Sequence, residues 1–377
     1  MRVLVDYRPA LRERSGAGEY THRLVNQLLT SDRVDLTIFS SSWKDRLVPE
    51  PELAGATIVD RRIPVRLLNL AWHRLGWPHV EKLTRGPIDV THSSHPLLMP
   101  SRSAARIITI HDLNFLSHPE RTRAEIRRDY SALVRDHAHR ADGIIVPSEF
   151  TAREVHRQLG VTHERVAICP AGAPDWTPLE RPAADGYILF FSTLEPRKNV
   201  GGLLDAYERL LARQGPAEAG HDRLPDLVLA GRATADAQPW LDRIARAPLA
   251  GHVRHIGYVA PADRQALFAG ARLLVQPSFE EGFGMPVLEA MTLGIPVVAS
   301  NRGSLPEVIG SAAPMVNPDD PDALAAAIAH VLDDPAAAAS GVAAGLQRAR
   351  EFSWARTAQR VYNLYLLAIE HRRCASA

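Results

Sequence analysis

Short apolar runs alternate with longer amphipathic stretches along most of the chain. In the N-terminal half the runs predict strands at Val3–Asp6, Asp35–Ser40, Ile88–His92, Ile107–His111, Gly143–Pro147 and Val166–Cys169. Helical patterns lie between several of them, at Tyr20–Leu29, Ala71–Leu83, Ala124–Arg140 and Glu149–Leu159. This alternation predicts an α/β fold with a parallel sheet covered by helices on both faces.

The alternation restarts after a stretch rich in proline and glycine, so 173–186 is predicted to be a linker. Beyond it, strands are predicted at Tyr187–Thr193, Leu227–Ala230, Val253–Gly257, Arg272–Gln276 and Pro296–Ser300. Helices are predicted at Val200–Arg213, Ala237–Arg246, Pro261–Ala269, Pro286–Leu293 and Pro321–Leu332. The pattern therefore predicts two doubly wound domains, 1–172 and 187–352, followed by an arginine-rich tail helix at 353–372.

Length and composition narrow the class of protein. A chain of 377 residues suits two domains of roughly 150 residues each. The net charge of +1 argues against a dedicated nucleic-acid binder. Cys169 and Cys374 lie far apart, which excludes a disulfide scaffold and fits a reducing compartment. Because we find neither a signal sequence nor an apolar run near the ~18 residues of a spanning helix, we expect a cytoplasmic protein.

The segment from Glu281 to Glu289 places two carboxylates around a glycine-rich turn. Gly282 and Gly284 let the backbone approach a ligand closely, and Pro286 suits the start of a helix. A helix N-terminus favours an anion such as a phosphate. The segment therefore predicts a sugar-nucleotide site, at the carboxyl end of a strand where ligands of such sheets bind.

Arg197 and Lys198 follow the predicted strand Tyr187–Thr193 directly. An arginine fork and a lysine point charge suit a diphosphate, although such a pair taken alone is more often a solvated basic turn. Their position at a strand end, in the same half as the two glutamates, favours the diphosphate. Asn199 is predicted to cap the helix that begins at Val200.

Two segments of the chain together resemble the retaining glycosyltransferases of the GT-B fold, family 4. They are Leu194-Glu195-Pro196-Arg197-Lys198-Asn199 and Ser278-Phe279-Glu280-Glu281-Gly282-Phe283-Gly284-Met285-Pro286-Val287-Leu288-Glu289-Ala290-Met291. The resemblance covers nearly the whole chain, and Glu281 and Glu289 match the two glutamates of the family's signature. It implies two Rossmann-like domains with a cleft between them. The N-terminal domain would take the acceptor and the C-terminal domain the donor, with the tail helix crossing back to the first domain.

The resemblance also implies a role for each matching residue on the donor side. Arg197 and Lys198 would hold the diphosphate and stabilise the leaving nucleotide. Glu281 would contact the sugar hydroxyls, and Glu289 would accept hydrogen bonds from the ribose. The remaining donor-binding candidates are the turn residues Gly282, Phe283, Gly284 and Met285 and, near the base, Gly231 and Tyr258.

His111 and Asp112 close a strand of the N-terminal half. The resemblance places His111 beside the donor sugar, as a catalytic residue together with Glu281, Arg197 and Lys198. Asp112 is a weaker candidate for orienting His111 or binding acceptor. The loop Gly16-Ala17-Gly18 would lie near the phosphates and the acceptor, although a plain β–α turn stays open. As a dinucleotide fingerprint this loop fails, because Thr21 occupies the third glycine position.

The activity implied is a retaining transfer that needs neither metal nor cofactor. The nucleotide sugar is a co-substrate. The sequence Leu194-Glu195-Pro196-Arg197-Lys198-Asn199 most resembles the mannosyl- and rhamnosyl-type branch that builds bacterial surface polysaccharides. We therefore expect transfer of mannose from GDP-mannose to a glycan or a polyprenyl-diphosphate-linked acceptor. The alternatives are a UDP-hexose donor, a non-catalytic sugar-nucleotide-binding protein, and a redox Rossmann enzyme, which the broken glycine fingerprint disfavours.

Basic residues mixed with Trp and Leu suggest a peripheral contact with the inner face of the cell membrane. One such region contains Arg61, Arg62, Arg66, Leu67, Leu68, Trp72 and Trp77. A second contains Arg121, Arg123, Arg127, Arg128, Arg135 and Arg140. These residues could also bind a polyprenyl diphosphate, and a solvated basic face is an equally open interpretation.

Overall fold

The computed structural model describes residues 1–11, 14, 16–48, 50–84, 86–117, 130–213 and 224–376. The chain divides into two compact units. Unit 1 comprises Met1–Gly172 and Ser353–Ala377, and unit 2 comprises Ala173–Phe352. The segment 173–186, predicted as a linker, is part of unit 2, where the Leu179 amide donates to the Leu293 carbonyl at 3.0 Å.

Unit 1 contains a seven-stranded parallel sheet of order β3-β2-β1-β4-β5-β6-β7. Its strands are β1 Arg2–Asp6, β2 Asp35–Ser41, β3 Thr57–Arg61, β4 Val90–Ser93, β5 Ala105–Thr109, β6 Gly143–Val146 and β7 Val166–Ile168. The chain winds outward from β1 in one direction and then from β4 in the other, as in a doubly wound fold. Strand β3 was not predicted, because this edge strand is half exposed and carries Thr, Asp and Arg.

Helices flank this sheet at Gly16–Leu29, Val65–Leu70, Asn114–Ser117, Tyr130–Arg140, Glu149–Leu159 and Trp354–Ser376. The predicted helix Ala71–Leu83 was wrong in position. The helical segment begins at Val65, continues as a π-type turn over Ala71–Leu75 and ends at Gly76, whose φ is +61°. Of the predicted helix Ala124–Arg140, the part before Tyr130 lies outside the described residues.

Unit 2 contains a six-stranded parallel sheet of order β10-β9-β8-β11-β12-β13. Its strands are β8 Tyr187–Phe191, β9 Leu227–Ala230, β10 Val253–Gly257, β11 Ala271–Gln276, β12 Val297–Ser300 and β13 Met315–Val316. Its helices are Val200–Arg213, Gln238–Ile244, Pro261–Ala269, Met285–Leu293, Leu305–Ile309, Pro321–Asp333 and Pro335–Ala349. The last helix was not predicted because its alanine-rich sequence shows little amphipathic contrast, although Asp334 caps it through the amides of Ala336 and Ala337.

The tail helix Trp354–Ser376 belongs to unit 1, as the resemblance implies. The buried Tyr365 hydroxyl lies 2.6 Å from Nδ1 of His92 on β4. The Trp354 ring packs edge-on against Tyr20 at a centroid distance of 5.4 Å. Two domains of the Rossmann type are thus present, and unit 1 is closed by a helix from the far end of the chain.

Gly172 lies where the backbone of unit 1 packs against the start of the tail helix. A Cβ at this position would lie 2.2 Å from the Trp354 backbone nitrogen. We expect Gly172→Ala to lower the free energy of unfolding by about 1–3 kcal/mol, the usual cost of overpacking. Urea denaturation measures this, with Gly16→Ala as the control because a Cβ there meets nothing within 4 Å. Equal midpoints for both variants would contradict the expectation.

Candidate active site

The candidate site of unit 2 lies beyond the carboxyl ends of β8, β11 and β12, which are neighbours in the sheet. The winding direction reverses between β8 and β11, and ligands of doubly wound sheets bind at such a point. The turn after β8 and the loop after β11 are joined directly, because the Phe279 amide donates to the Arg197 carbonyl at 2.9 Å.

A buried ion pair joins the two segments that the sequence singles out. Lys198 Nζ lies 2.7 Å from both carboxylate oxygens of Glu281. The two residues are 6% and 7% exposed. Gln276 Nε2 and Ser278 Oγ donate to Glu281 Oε1 at 2.8 and 2.9 Å. Oε1 therefore accepts from three donors, and the carboxylate is held in a single orientation.

Burial alone would raise the pKa of Glu281. The charges of Lys198 and Arg197, together with the hydrogen bonds from Lys198 and Ser278, outweigh burial and lower this pKa below its usual value. Glu281 is therefore ionised at neutral pH. Lys198 is engaged with this carboxylate, so a diphosphate would share its ammonium with Glu281.

The turn that carries the two cations is held by Asn199. This residue adopts a left-handed conformation with φ of +57°. Its Nδ2 donates to the carbonyls of Pro277 and Pro318, and its Oδ1 accepts from the Gly202 amide at 3.2 Å. Asn199 thus caps the helix Val200–Arg213, as predicted. Arg197 Nε pairs with Glu195 Oε1 at 2.6 Å within the same turn.

The glycine-rich turn leads into the helix Met285–Leu293, which begins one residue before Pro286. Gly284 is the N-cap residue with φ of +99°, a conformation that favours glycine. Phe283 is buried against Phe352 at a ring distance of 5.7 Å, so its side chain packs inside unit 2. The donor contacts predicted for Gly282 to Met285 therefore stay predictions for the backbone.

The loop after β12 supports Glu281 from a third side. Ser304 donates to the Glu281 carbonyl through both its amide, at 3.1 Å, and its hydroxyl, at 3.0 Å. Gly303 has φ of +64°, and a Cβ there would lie 2.7 Å from the Glu281 nitrogen. The position of the Glu281 main chain is thus fixed by its contacts with Gly303 and Ser304.

Glu289 lies on the helix Met285–Leu293 and is buried beside Arg264. Arg264 Nε is 3.3 Å from Glu289 Oε2. The Arg264 guanidinium also lies over the Phe191 ring, 4.7 Å from its centroid. Arg264 was not among the predicted site residues, because a lone arginine in a helix carries no motif.

The two residues predicted near the base differ in what they can contribute. Gly231 has φ of +139°, and a Cβ there would lie 1.9 Å from the Ser192 carbonyl oxygen. The fold alone therefore requires glycine at this position. Tyr258 lies beyond β10 and is 37% exposed. A contact of either residue with a base stays a prediction.

In unit 1, His111 follows β5 and is half-buried. Burial lowers the pKa of His111 to about 4, against the opposing effects of Asp112 and the Ser94 main chain, so the ring is neutral at pH 7. Its Nε2 is buried and makes no hydrogen bond within the part of the chain that the structure describes. Asp112 Oδ1 accepts from the Asn114 amide at 3.2 Å, which caps the short helix there.

The predicted phosphate loop forms the first turn of the helix Gly16–Leu29. A Cβ on Gly18 would lie 2.5 Å from the Pro9 carbonyl oxygen, so glycine allows the helix to approach the preceding segment. The Ala17 carbonyl accepts from the Thr21 hydroxyl at 2.9 Å. These contacts are structural, and a role for Gly16, Ala17 and Gly18 in binding acceptor or phosphate stays a prediction.

Sequence reasoning missed a charged network at the carboxyl end of β1. Asp6 is fully buried and pairs with Arg8 through Nε at 2.8 Å and Nη2 at 2.6 Å. His95 Nε2 lies 3.1 Å from Asp6 Oδ2. Burial would raise the pKa of Asp6, but Arg8 and His95 lower it strongly. The available signal was an acid and an arginine two residues apart, directly after the first strand.

One group in the described ranges brings three possible metal-ligand atoms within 4.8 Å of one another, namely His22, Glu50 and Glu52. Glu50 is already paired with Arg14, and Glu52 is exposed. We therefore assign no metal to this group.

Comparison with known families matches both halves of the chain. A family described as "Glycosyltransferase Family 4" matches residues 14–175, and one described as "Glycosyl transferases group 1" matches residues 185–334. The O-antigen chain mannosyltransferase B of Escherichia coli is 31% identical over 391 residues, covering 97% of this chain and 100% of that protein. A phosphatidyl-myo-inositol mannosyltransferase of Mycolicibacterium smegmatis is 27% identical over 293 residues, covering 75% and 72%.

Solved structures show the same fold. A sucrose-phosphate synthase from Thermosynechococcus elongatus superposes with a TM-score of 0.76 at 19% identity, covering all of both chains. The HepE protein of Anabaena, solved with UDP and glucose, gives a TM-score of 0.70 at 17% identity, covering 96% of this chain and 98% of that one. At these identities the likeness concerns the fold alone.

The Lys198–Glu281 pair can be tested by removing the cation. Lys198→Met leaves a buried carboxylate without its main counter-charge, so we expect the free energy of unfolding at pH 7 to fall by about 3–5 kcal/mol. The loss of stability should become smaller as the pH falls, because Glu281 in the variant can then be protonated and no longer needs a cation. In the wild type the pKa of Glu281 is lowered, so Glu281 stays ionised and paired with Lys198 over the same pH range. Urea denaturation at pH 7 and pH 5 measures both effects.

The double variant Lys198→Met/Glu281→Gln serves as the control. It removes the charge as well as its partner, so it should be more stable at pH 7 than Lys198→Met alone. If the single variant loses as much stability at pH 5 as at pH 7, the pair is not the source of the loss.

Proposed function

The chain belongs to glycosyltransferase family 4, and we propose that it is a retaining, metal-independent enzyme that transfers mannose from GDP-mannose to a surface glycan. That it is a glycosyltransferase follows from its family. The observation that carries the donor site is the Lys198–Glu281 pair, with Arg197 beside it, at the switch point of the unit 2 sheet. The proposal is supported because cations and an ionised carboxylate lie at the switch point, the part of a doubly wound sheet where nucleotides typically bind.

The choice of mannose is supported by the named activities of the relatives. The O-antigen chain mannosyltransferase B matches 97% of this chain over its own whole length. The acceptor we propose is a growing or lipid-linked polysaccharide, in keeping with the O-antigen relative. A UDP-hexose is the second candidate donor, because the residues near the base do not distinguish guanine from uracil.

The state of Glu281 favours front-side transfer over double displacement. A carboxylate that accepts from Lys198, Gln276 and Ser278 is strongly stabilised in its ionised form and is therefore a weak nucleophile. In our mechanism it orients the sugar through its hydroxyls. As the bond between the anomeric carbon and the phosphate oxygen breaks, Arg197 and Lys198 stabilise the charge on the leaving nucleotide. The acceptor oxygen forms its bond to the anomeric carbon on the face that the phosphate leaves, and the departing phosphate takes the proton of that hydroxyl. The roles of His111 and Glu289 are those that the resemblance implies.

Metal independence is proposed on the same residues. Arg197 and Lys198 supply fixed positive charge after β8, and the helix Met285–Leu293, whose N-terminus also favours an anion, follows the neighbouring strand β11. Their pairing with Glu195 and Glu281 reduces this charge, so a bound diphosphate competes with both carboxylates for the cations.

We also propose that unit 1 contacts an anionic membrane surface through the segment 61–77. Leu67, Leu70, Leu75 and Trp77 are 60%, 57%, 74% and 54% exposed. Residues 61–80 contain four arginines and no acidic residue. Exposed apolar side chains among arginines are typical of interfacial segments. No described helix is long and apolar enough to cross a bilayer.

Two residues named for this surface from the sequence do not contribute to it. Leu68 and Trp72 are buried in a core cluster with Leu4, Phe39 and Val80. Their packing in the core holds the segment 61–77 to unit 1. Of the second predicted basic region, Arg121, Arg123, Arg127 and Arg128 lie outside the described residues.

The donor assignment is tested by thermal unfolding with GDP-mannose, UDP-glucose and a dTDP-sugar. A donor that binds only the folded state stabilises it by about 2.7 kcal/mol at a concentration of 100 Kd. We expect the largest shift with GDP-mannose, and a much smaller one for Arg197→Ala, which loses a contact to the diphosphate. The largest shift with UDP-glucose would select the second candidate, and no shift with any of the three would contradict a donor site.

The reaction type is tested on the product. We expect NMR to show the anomeric configuration of the donor retained, and the transfer rate to stay within a few-fold in EDTA. An inverted anomer would contradict the retaining mechanism. Activity lost in EDTA and restored by manganese would contradict metal independence.

The membrane contact is tested by co-sedimentation with phospholipid vesicles. We expect binding to phosphatidylcholine vesicles that contain phosphatidylglycerol, weaker binding at high salt, and little binding to phosphatidylcholine alone. The variant Leu67→Ser/Leu70→Ser/Trp77→Ser should lose about tenfold or more in partitioning, since each side chain loses its burial in the bilayer.

The matched control is Leu366→Ser/Leu367→Ser, which removes two exposed leucines from the tail helix. It should bind vesicles like the wild type. Equal loss in both variants, or binding that ignores phosphatidylglycerol, would contradict the assignment to segment 61–77. Loss of self-association instead of vesicle binding would identify the surface as a contact between copies of the chain.

A further inference from the structure

Arg348 is a partly buried cation near the end of the helix Pro335–Ala349, outside both donor motifs. Its Nε donates to the Val308 carbonyl at 3.0 Å, and its Nη2 donates to the Glu307 carbonyl. Both carbonyls belong to the short helix Leu305–Ile309. The last carbonyls of a helix have no partner within it, so an arginine at this position holds the helix end by charge and by hydrogen bonds.

The helix Leu305–Ile309 follows directly on the residues that support the main chain of Glu281. Ser304 precedes this helix and donates to the Glu281 carbonyl through its amide at 3.1 Å and its hydroxyl at 3.0 Å. Gly303 is so close that a Cβ there would lie 2.7 Å from the Glu281 nitrogen. Packing this tight transmits a displacement, so a shift of the helix would move Glu281 as well.

A second set of contacts joins Arg348 to the glycine-rich turn just beyond Glu281. The Arg348 guanidinium lies over the Phe352 ring, 5.0 Å from its centroid. Phe352 packs edge-on against Phe283, at a ring distance of 5.7 Å and an interplanar angle of 78°. Phe283 is buried, so this contact belongs to the interior of unit 2. Arg348 thus reaches the Glu281 main chain from both sides, through Ser304 and through Phe283.

The chemistry of arginine suits this double contact. A planar guanidinium donates hydrogen bonds in its plane and offers its face to an aromatic ring at the same time. A lysine ammonium is a single point charge and does not combine the two. Arg348 also forms an ion pair with Glu351, which balances its charge. Its contacts are therefore those of a residue that positions other groups, and none of them requires a ligand.

We propose that Arg348 is a positioning residue for Glu281. It fixes the main chain on both sides of this carboxylate and thereby the direction from which the carboxylate meets the donor sugar. The inference rests on the proposed function, because Arg348 acts through the sugar contact of Glu281. It adds to that function a residue outside the two motifs and gives the helix Leu305–Ile309 a part in the reaction.

A purely structural role for Arg348 would lower stability without changing the reaction. The folded fraction of Arg348→Met would then transfer sugar at the wild-type rate. A positioning role instead changes the rate in the folded state, because a small misplacement of a group that orients the sugar slows the chemical step. Rates are therefore compared per folded molecule, with the folded fraction measured by circular dichroism at the assay temperature.

The experiment measures kcat with the donor that the wild type uses, and the Kd of GDP and UDP by calorimetry. For Arg348→Met we expect kcat to fall about tenfold to a hundredfold, since a displacement of about 1 Å can cost that much. The Kd of the nucleoside diphosphate should stay within about threefold, because this ligand lacks the sugar that Glu281 orients. In the Glu281→Gln background the same substitution should lower kcat by a much smaller factor, because the carboxylate is already lost.

Phe352→Leu tests the second route by itself, and it gives a result even if Arg348→Met does not fold. It removes the ring contact with Phe283 and leaves the Arg348 contacts to the helix Leu305–Ile309 in place. We expect a smaller fall in kcat than for Arg348→Met, again without a change in the Kd of the nucleoside diphosphate. Wild-type kcat in folded Phe352→Leu would overturn this half of the proposal.

The matched control is Arg243→Met. The Arg243 side chain is 32% exposed against 29% for Arg348, and it forms ion pairs with Asp205 and Glu208 in the same unit. Its loss should lower stability and leave kcat unchanged. The proposal is overturned if folded Arg348→Met keeps the wild-type kcat, if Arg243→Met lowers kcat equally, or if the Arg348→Met factor is the same in the Glu281→Gln background.

The same measurements separate this proposal from the proposed function. If the wild type uses only a UDP-hexose, the GDP-mannose assignment fails, and the fall in kcat with that donor supports the role of Arg348. If Glu281→Gln slows transfer and Arg348→Met does not, the function stands and the role of Arg348 fails. If Glu281→Gln transfers sugar at the wild-type rate, or if the wild type transfers none, both are wrong.

Discussion

The ion pair between Lys198 and Glu281 is the contact on which the donor side of this molecule depends. A buried carboxylate is tolerated only where charge and hydrogen bonds offset its lost hydration. Lys198 supplies the charge from the turn after β8, and Gln276 and Ser278 supply hydrogen bonds to the carboxylate from the end of β11 and the loop after it. Ser304, in the loop after β12, donates to the main-chain carbonyl of Glu281. Three segments that are distant in sequence are thereby joined through one residue.

The other charged side chains at the strand ends are also close to a side chain of opposite charge. Arg197 pairs with Glu195, Glu289 lies beside Arg264, and in unit 1 Asp6 pairs with Arg8. At the carboxyl ends of the strands in each unit, opposite charges are thus already close together before a ligand is present. Such a surface is preorganised, so a bound anion or diol enters an existing field and little of the protein has to rearrange. His111 differs from these groups, because burial keeps it neutral and leaves an imidazole nitrogen without a partner among the described residues.

The sequence predicted the parallel sheets and the motif residues well, because buried strands and glycine turns carry local signals. Lys198 and Glu281 do form an ion pair at one sheet edge, and Asn199 caps its helix as predicted. Strand β3 and the helix Pro335–Ala349 were not predicted, because edge strands and alanine-rich helices show weak hydrophobic periodicity. Other residues were missed for a different reason, namely Gln276, Arg264 and the network of Asp6, Arg8 and His95. Their significance comes from partners that are distant in the chain or from burial, and neither can be read from neighbouring residues.

The tail helix makes unit 1 discontinuous in the chain, with the whole of unit 2 inserted between its two parts. During synthesis on the ribosome, residues 173–352 are complete before the segment that covers His92, Tyr20 and Cys169 has been made. Domains ordinarily fold in the order in which they emerge. Here we expect the second unit to finish first, while the sheet of the first unit waits with an uncovered apolar face. The nascent chain therefore exposes an apolar surface of the first unit for as long as residues 173–352 are being made, until the tail helix can cover it.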